Sequence, residues 1–149
     1  MAETAVMSEM HLVVFELAGE QFGLDIATVR EIIQMQPVTK IPGAECFVEG
    51  MINLRGVVIP VVDLRKRFGI ASKEYNNDTR IMVISSGGQD IGIIVDSVEE
   101  VLRIPSDSIV PPSHVVAGTG SDYLSGIAKL AERLVILLDA ERLLGSTGF

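Results

Sequence analysis

Apolar residues fall in short runs of strand length along this chain, separated by turn residues. Leu12–Leu17 leads through Ala18-Gly19-Glu20 into Gln21–Ile26, which predicts a hairpin. Ile81–Ile84 leads through Ser85-Ser86-Gly87-Gly88 into Asp90–Val95, which predicts a second. Val57–Val62, Val98–Ile104 and Leu134–Leu138 are rich in β-branched and aliphatic residues and predict further strands. Helix signals are few. Asp63–Phe68 and Asp139–Leu144 each open on an Asp able to cap the first turn and stop before a glycine, Gly69 or Gly145.

The pattern repeats within the chain. Phe22–Ile33 aligns with Ile91–Leu102, pairing Gly23 with Gly92, Glu31 with Glu100 and Ile32 with Val101 at an offset of 69. Further on, Gly50 pairs with Gly126, Leu54 with Leu130, Asp63 with Asp139 and Gly69 with Gly145 at an offset of 76. The seven extra residues fit the Pro- and Gly-rich stretch around Pro111-Pro112 and Gly118-Thr119-Gly120. Such a period is too long for a solenoid and implies two related β subdomains, divided at the polar stretch Ala71–Asp78. The seam between them is a natural groove. At these positions the second copy replaces Asn53, Arg55 and Gly56 by Lys129, Ala131 and Glu132, so it keeps the apolar framework and loses the arginine. Val58, Val61 and Asp63 are then framework, explained by the barrel.

Composition narrows the function. The 149 residues are 48% hydrophobic with no tryptophan, which predicts a folded aliphatic core. A net charge of −8 argues against a nucleic-acid partner. Arg65-Lys66-Arg67 is too short for a membrane patch and reads as the solvated face of a helix end. Apolar runs of strand length do not span a bilayer, and Met1–Met10 has neither signal- nor transit-peptide character, so the expected location is cytoplasmic with no direct membrane insertion. Cys46 has no partner cysteine and no nearby base, and is expected to be a buried or half-buried structural thiol.

No catalytic constellation emerges. His11 and His114 lack metal-ligand spacing, and His11 is expected at the surface. Gly118–Asp122 lacks the lysine of a phosphate loop. Asp63 and Asp139 are repeat equivalents that capping explains. No metal, cofactor or enzymatic activity is expected. Arg55 stands apart. It lies between strand-like runs and precedes Gly56, a place from which a planar guanidinium can reach a partner's carboxylates or carbonyls. An internal ion pair with Glu31 is the alternative, and the two roles are compatible. Asn53 reads as a turn or ladder residue.

Gly50-Met51-Ile52-Asn53-Leu54-Arg55-Gly56 with Ile59-Pro60-Val61-Val62-Asp63-Leu64 resembles the signature of the CheW-like domain family. So do Phe22–Ile26 with Val29–Ile32, and Gly92–Val98, and the resemblance runs from about Leu12 to Leu144. It implies a single CheW-like domain over residues 1–149 that is mostly β: two SH3-like, five-stranded β-barrel subdomains around a shared hydrophobic core. Their approximate spans would be 12–70 and 79–145, with a terminal segment crossing over as an open alternative. It further implies a non-enzymatic adaptor at receptor arrays on the inner face of the membrane. Its partners would be the cytoplasmic tips of methyl-accepting chemotaxis receptors and the regulatory domain of the histidine kinase CheA. By motif match the receptor-binding set is Val29, Glu31, Arg55, Gly92 and Val101, with Val29 and Val101 equally readable as core. The kinase-binding set is Val38, Ile41, Phe47 and Met51, with a weaker contact at Val110 and Val115. Two alternatives stay open: a coupling protein of another chemosensory pathway, such as gliding or pilus motility, and a ligand-binding β-barrel module using the groove.

Overall fold

A computed structural model describes residues 9–110 and 123–144. The first half contains β1 (Glu9–Leu17), β2 (Glu20–Asp25), β3 (Val29–Gln34), β4 (Val48–Leu54), β5 (Val57–Asp63) and the short helix α1 (Leu64–Arg67). The second contains β6 (Arg80–Ser86), β7 (Gln89–Val95), β8 (Ser97–Pro105), β9 (Ile109–Val110), β10 (Leu124–Lys129), β11 (Leu134–Leu138) and the helix α2 (Ala140–Leu144). Both predicted hairpins and both predicted helices form. Asp63 Oδ1 accepts from Arg65 N at 3.0 Å, and Asp139 Oδ1 from Glu141 N at 3.0 Å, so each Asp caps its helix.

The strands form two sheets. A central sheet has the order β3-β6-β7-β5-β4, and a flanking sheet the order β8-β1-β2-β11-β10-β9. The repeat maps one order onto the other, and it exposes an exchange. Hairpin β1–β2 lies in the flanking sheet with β8, β10 and β11, while hairpin β6–β7 lies in the central sheet with β3, β4 and β5. The stretch Ala71–Asp78 is therefore no sheet boundary, because strands on both sides of it belong to the central sheet. The chain changes sheets instead at two short joints, Ile26–Thr28 and Asp96. At the first, Asp25 accepts from Ala27 N at 2.9 Å and holds a single 3₁₀ turn. The exchanged hairpins are anchored by parallel pairing, Gly23 opposite Leu137 and Gly92 opposite Val61, again repeat equivalents. The expected five strands hold for the central sheet. The flanking sheet gains β9 as a sixth, and among the described residues the matching place beside β4 holds only a single bridge, between Thr39 and Met51.

The exchange explains why the hairpin strands are apolar at nearly every position. In β1, Val13, Phe15 and Leu17 face a core between the sheets, while Leu12 and Val14 face a core inside the flanking sheet. In β6, Met82 and Ile84 join the shared core, while Ile81 and Val83 face the interior of the central sheet. Side chains alternate across a strand, so a strand between two cores has no face left for polar residues. Val61 and Asp63 are buried as expected, but Val58 is 62% exposed. It lies just beyond the β4–β5 turn, opposite Asn53.

Candidate functional site

The β4–β5 hairpin turns in two residues, Arg55 at φ 53° and Gly56 at φ 87°. Two successive positive φ values match the twist of the flanking strands, which is why short hairpins use them. Gly56 adopts this at no steric cost, whereas an arginine there costs about 1–2 kcal/mol. Asn53 Oδ1 accepts from Gly56 N at 2.8 Å and locks the turn, which makes it a turn residue. Arg55 is thereby projected outward, and its NH2 donates to Glu31 Oε2 on β3. The internal pair expected as the alternative exists. It links the first strand of the central sheet to the last hairpin and so staples the curved sheet across its open side. With Arg55 68% exposed, the pair itself adds only about 0–1 kcal/mol. Around it lie a second ion pair, Arg30–Asp90 at 3.7 Å, and the exposed side chain of Val57, with exposed Val58 in the adjoining depression beside Arg30 and Asp90. Arg30, Glu31, Arg55, Val57 and Asp90 line one shallow depression.

The second copy has not lost this arrangement. Its hairpin connection is four residues long, Leu130–Arg133, closed by Leu130 N donating to Arg133 O at 3.0 Å. Arg133 NH2 donates at 2.8 Å to Glu100 Oε2, and Glu100 is the repeat partner of Glu31. The arginine has moved two positions along the hairpin, so alignment by position hides it.

The predicted receptor-binding residues divide between the sheets. Val29, Glu31, Arg55 and Gly92 belong to the central sheet or its turn, and Val101 to β8, an edge of the flanking sheet. Val29 is half-buried against the shared core, and Val101 is 55% exposed, which excludes the core reading for it. Gly92 is buried: a Cβ there would meet Ile81 Cγ2 at 2.8 Å, so its smallness serves packing inside the central sheet and not the approach of a partner. Among the predicted kinase-binding residues, Val38 packs against the interior of the central sheet and Met51 lies on the β4 edge, where Thr39 N donates to Met51 O at 2.9 Å. Ile41 and Phe47 are half-buried against the shared core, Val110 is in β9 at the flanking sheet's other edge, and Val115 lies outside the described residues. So do His114 and Gly118–Gly120.

Two expectations are corrected. Cys46 is exposed, because the loop before β4 carries it outside the core. Arg65-Lys66-Arg67 is not a solvated face; each side chain is tied down. Arg65 forks onto Asp96 at 2.9 and 2.8 Å, and Asp96 also accepts from Ala18 N at 2.9 Å. One carboxylate thus fastens the β7–β8 joint, the β1–β2 turn and α1 together. The Arg65 guanidinium holds the Asp96 carboxyl below the usual carboxylate range, with burial opposing it. Lys66 Nζ donates to Glu49 at 2.7 Å, which raises the lysine's pKa against its desolvation. Arg67 is stacked between Phe47 and Tyr123, 4.5 and 4.9 Å from the ring centres, and its Nε donates to Leu143 O at 3.0 Å. Phe47 and Tyr123 are themselves repeat equivalents, so one cation sits where the two halves meet. Tyr75 donates to Asp63 Oδ2 at 3.0 Å, and burial followed by the Asp63 charge pushes its phenol well above the ordinary range.

The depression around Arg55 also contains Arg30, Val57 and Asp90, which sequence reading did not single out, because their proximity depends on the neighbouring strands. Among the described residues no cluster of three or more His, Cys, Asp or Glu is placed to hold a metal ion, and no helix is long and apolar enough to cross a membrane.

A duplicated, hairpin-exchanged β fold with this turn defines a recognisable class. The chain matches the model of the CheW-like domain family over residues 11–148 and belongs to that family. It is 38% identical to the chemotaxis protein CheW of Klebsiella aerogenes over 89% of this chain and 80% of that one. It is 33% identical to the chemotaxis protein CheW of Bacillus subtilis over 89% and 85%. Its structure is similar to that of the scaffolding protein TtCheW from Thermoanaerobacter tengcongensis, with a TM-score of 0.86 and 42% identity over 94% of this chain and 95% of that one. The chain is a chemotaxis adaptor, a scaffold and not an enzyme.

Proposed function

We propose that this scaffold couples the cytoplasmic tips of methyl-accepting chemotaxis receptors to the regulatory domain of the histidine kinase CheA, at receptor arrays on the inner face of the membrane. The carrying observation is the Arg55 turn. A guanidinium is held outward in a strained conformation beside exposed Val57, with Val58 lining the adjoining depression next to Arg30 and Asp90, and cations beside exposed apolar side chains suit the docking of an amphipathic helix. Glu31 fixes the guanidinium but leaves it donors to spare. Val29 backs the same sheet, Gly92 packs its interior, and Val101 adds an apolar contact from the other sheet. The kinase contacts are assigned to Val38, Ile41, Phe47 and Met51 beside β4 and to Val110 in β9, and Val115, which lies outside the described residues, is assigned with them. A β4 edge that, among the described residues, is covered only at Thr39 offers backbone groups to a neighbouring β domain. No covalent step is involved, and avidity within an array strengthens modest individual contacts.

The test is binding of the purified chain to a receptor signalling fragment and, separately, to the CheA regulatory domain. Binding to both is expected, and failure to bind either sinks the proposal. Arg55→Ala and Arg55→His are expected to fold normally and to reduce kinase activation in reconstituted receptor arrays. Wild-type activation would remove Arg55 from the mechanism.

A further inference from the structure

Among the described residues, every aromatic side chain except Tyr75 belongs to one column. Phe15 of β1 stacks on Phe22 of β2 at 5.8 Å, Phe22 meets Phe68 at 5.8 Å, and Phe68 stacks on Tyr123 at 5.7 Å. The Arg67 guanidinium then joins Tyr123 to Phe47. This cation has a special place in the repeat. It lies between two rings that are repeat equivalents, and it donates at 3.0 Å to the carbonyl of Leu143, the repeat equivalent of Arg67 itself. A residue that touches its own equivalent lies near the axis relating the two copies. Two guanidinium groups there would repel each other at close range, and the copies differ accordingly: one supplies Arg67, the other the fully buried Leu143.

Phe47 closes the loop before β4, in which Pro42–Cys46 are exposed. Its carbonyl accepts from Asp63 N at 2.8 Å, and its ring lies 4.5 Å from the guanidinium. Two residues on, Glu49 accepts from Lys66 Nζ. Consecutive cations of α1 thus clamp Phe47 and Glu49, inside the stretch from Val38 to Met51 that carries the first kinase contact. We propose that Arg67 is a positioning residue for kinase recognition. Held by Tyr123 and Leu143 of the second half, it fixes the Phe47 loop of the first half in the conformation that the CheA regulatory domain receives. Tyr123 acts through Arg67 and needs no contact with the kinase. This rests on the kinase-facing reading above. A guanidinium suits the task because its planar face lies between two rings while its N–H edge reaches a carbonyl. A loop ordered beforehand costs less to immobilise when the kinase docks. Phe47, Tyr123 and Leu143 are not among the residues assigned to the receptor, so receptor binding serves as the control.

The experiment titrates the CheA regulatory domain, and separately a receptor signalling fragment, against the full chain and its Arg67→Ala, Arg67→Lys and Tyr123→Leu variants. Amide exchange at Asp63 reports the bond to Phe47, and circular dichroism checks folding. Arg67→Ala is expected to weaken kinase-domain binding by about tenfold and to speed Asp63 exchange, with receptor-fragment affinity unchanged. Tyr123→Leu keeps an apolar side chain but removes one ring, and is expected to weaken kinase-domain binding by about fivefold. Combining it with Arg67→Ala should add nothing, because both act through one contact, and additive losses would overturn the route through Arg67. Arg67→Lys should recover part of the loss, since it restores the cation without the planar face. The proposal is overturned if Arg67→Ala binds the kinase domain within about twofold of wild type. It is equally overturned if kinase and receptor affinities fall together, as a merely structural role would require. Should Arg67→Ala fail to fold, Arg67→Lys and Tyr123→Leu decide by the same criteria. A wild-type chain that binds the receptor fragment but not the kinase domain refutes the kinase-facing reading itself, an outcome distinct from both.

Discussion

The β4–β5 and β10–β11 hairpins descend from one pattern and solve the same problem in two ways. The first turns in two residues and places its arginine in the turn, at positive φ, with Asn53 locking the backbone. The second spends four residues and brings Arg133 to its glutamate from an ordinary conformation. The first is the stiffer device, with strain stored at Arg55; the second reaches the same ion pair without strain. What recurs within the chain is a spatial relation, acid on an edge strand and cation on the far hairpin, and not the residue at a given alignment position.

The largest expected break in this equivalence is at the glycines that open the hairpins. A Cβ on Gly50 would lie 2.1 Å from Thr39 O, at a φ of 150°, whereas one on Gly126 would meet Ile109 Cγ2 at 2.8 Å and come no nearer than 3.2 Å to the backbone, at Val110 O. Backbone cannot yield where a side-chain methyl can. Gly50→Ala is expected to cost about 3–5 kcal/mol and Gly126→Ala about 1–3 kcal/mol, measured by urea unfolding. Similar costs would mean that the Thr39 bridge is as yielding as the Ile109 side chain.

Next is the Asp96 clasp, which the second half lacks: the repeat equivalents of Arg65 and Asp96 are Glu141 and Ala27. Side chains of Arg65 and Asp96 are 15% and 14% exposed, and Asp96→Asn is expected to destabilise by about 3 kcal/mol at neutral pH. The folded carboxyl titrates below its unfolded value. Its contribution is therefore fully present above about pH 4 and is lost as pH falls through the lower folded value. Arg65 stays charged throughout. The wild-type and Asp96→Asn stability curves should accordingly converge in acid, and a constant gap down to the lowest pH would contradict the clasp.

The smallest effect sharpens the comparison itself. Arg55→Gly removes the ion pair but relieves the left-handed strain, so its net effect is expected within about 1 kcal/mol of zero. Arg133→Gly has no strain to relieve and loses its pair, so it should be the more destabilising of the two. Thermal melts of both variants under one condition decide the order, and the reverse order would place the strain elsewhere.

Much of this was legible before any coordinates. The alternation of short apolar runs gave the hairpins, the paired aspartates gave the helix starts, and Arg55-Gly56 after Asn53 marked a turn with an outward cation. Those features depend on residues within a few positions of one another. The sequence stopped short where two distant segments share one function. It did not show that the hairpins change places, because apolar strands buried on both faces read alike whichever sheet receives them. It did not show that Arg65, Lys66 and Arg67 are fastened to Asp96, Glu49 and Leu143, since charge on a helix end looks solvated until its partners arrive.

The sequence by itself determined a duplicated β chain with an aliphatic core, a family signature and one conspicuous arginine, because periodicity and turn chemistry are local. Only the tertiary structure decided that Gly92 is interior, that Val58 and Val101 are surface, and that Arg133 restores in the second half the pair that Arg55 makes in the first. Burial and ion pairing are properties of which strands become neighbours, and here the neighbours come from opposite halves of the chain.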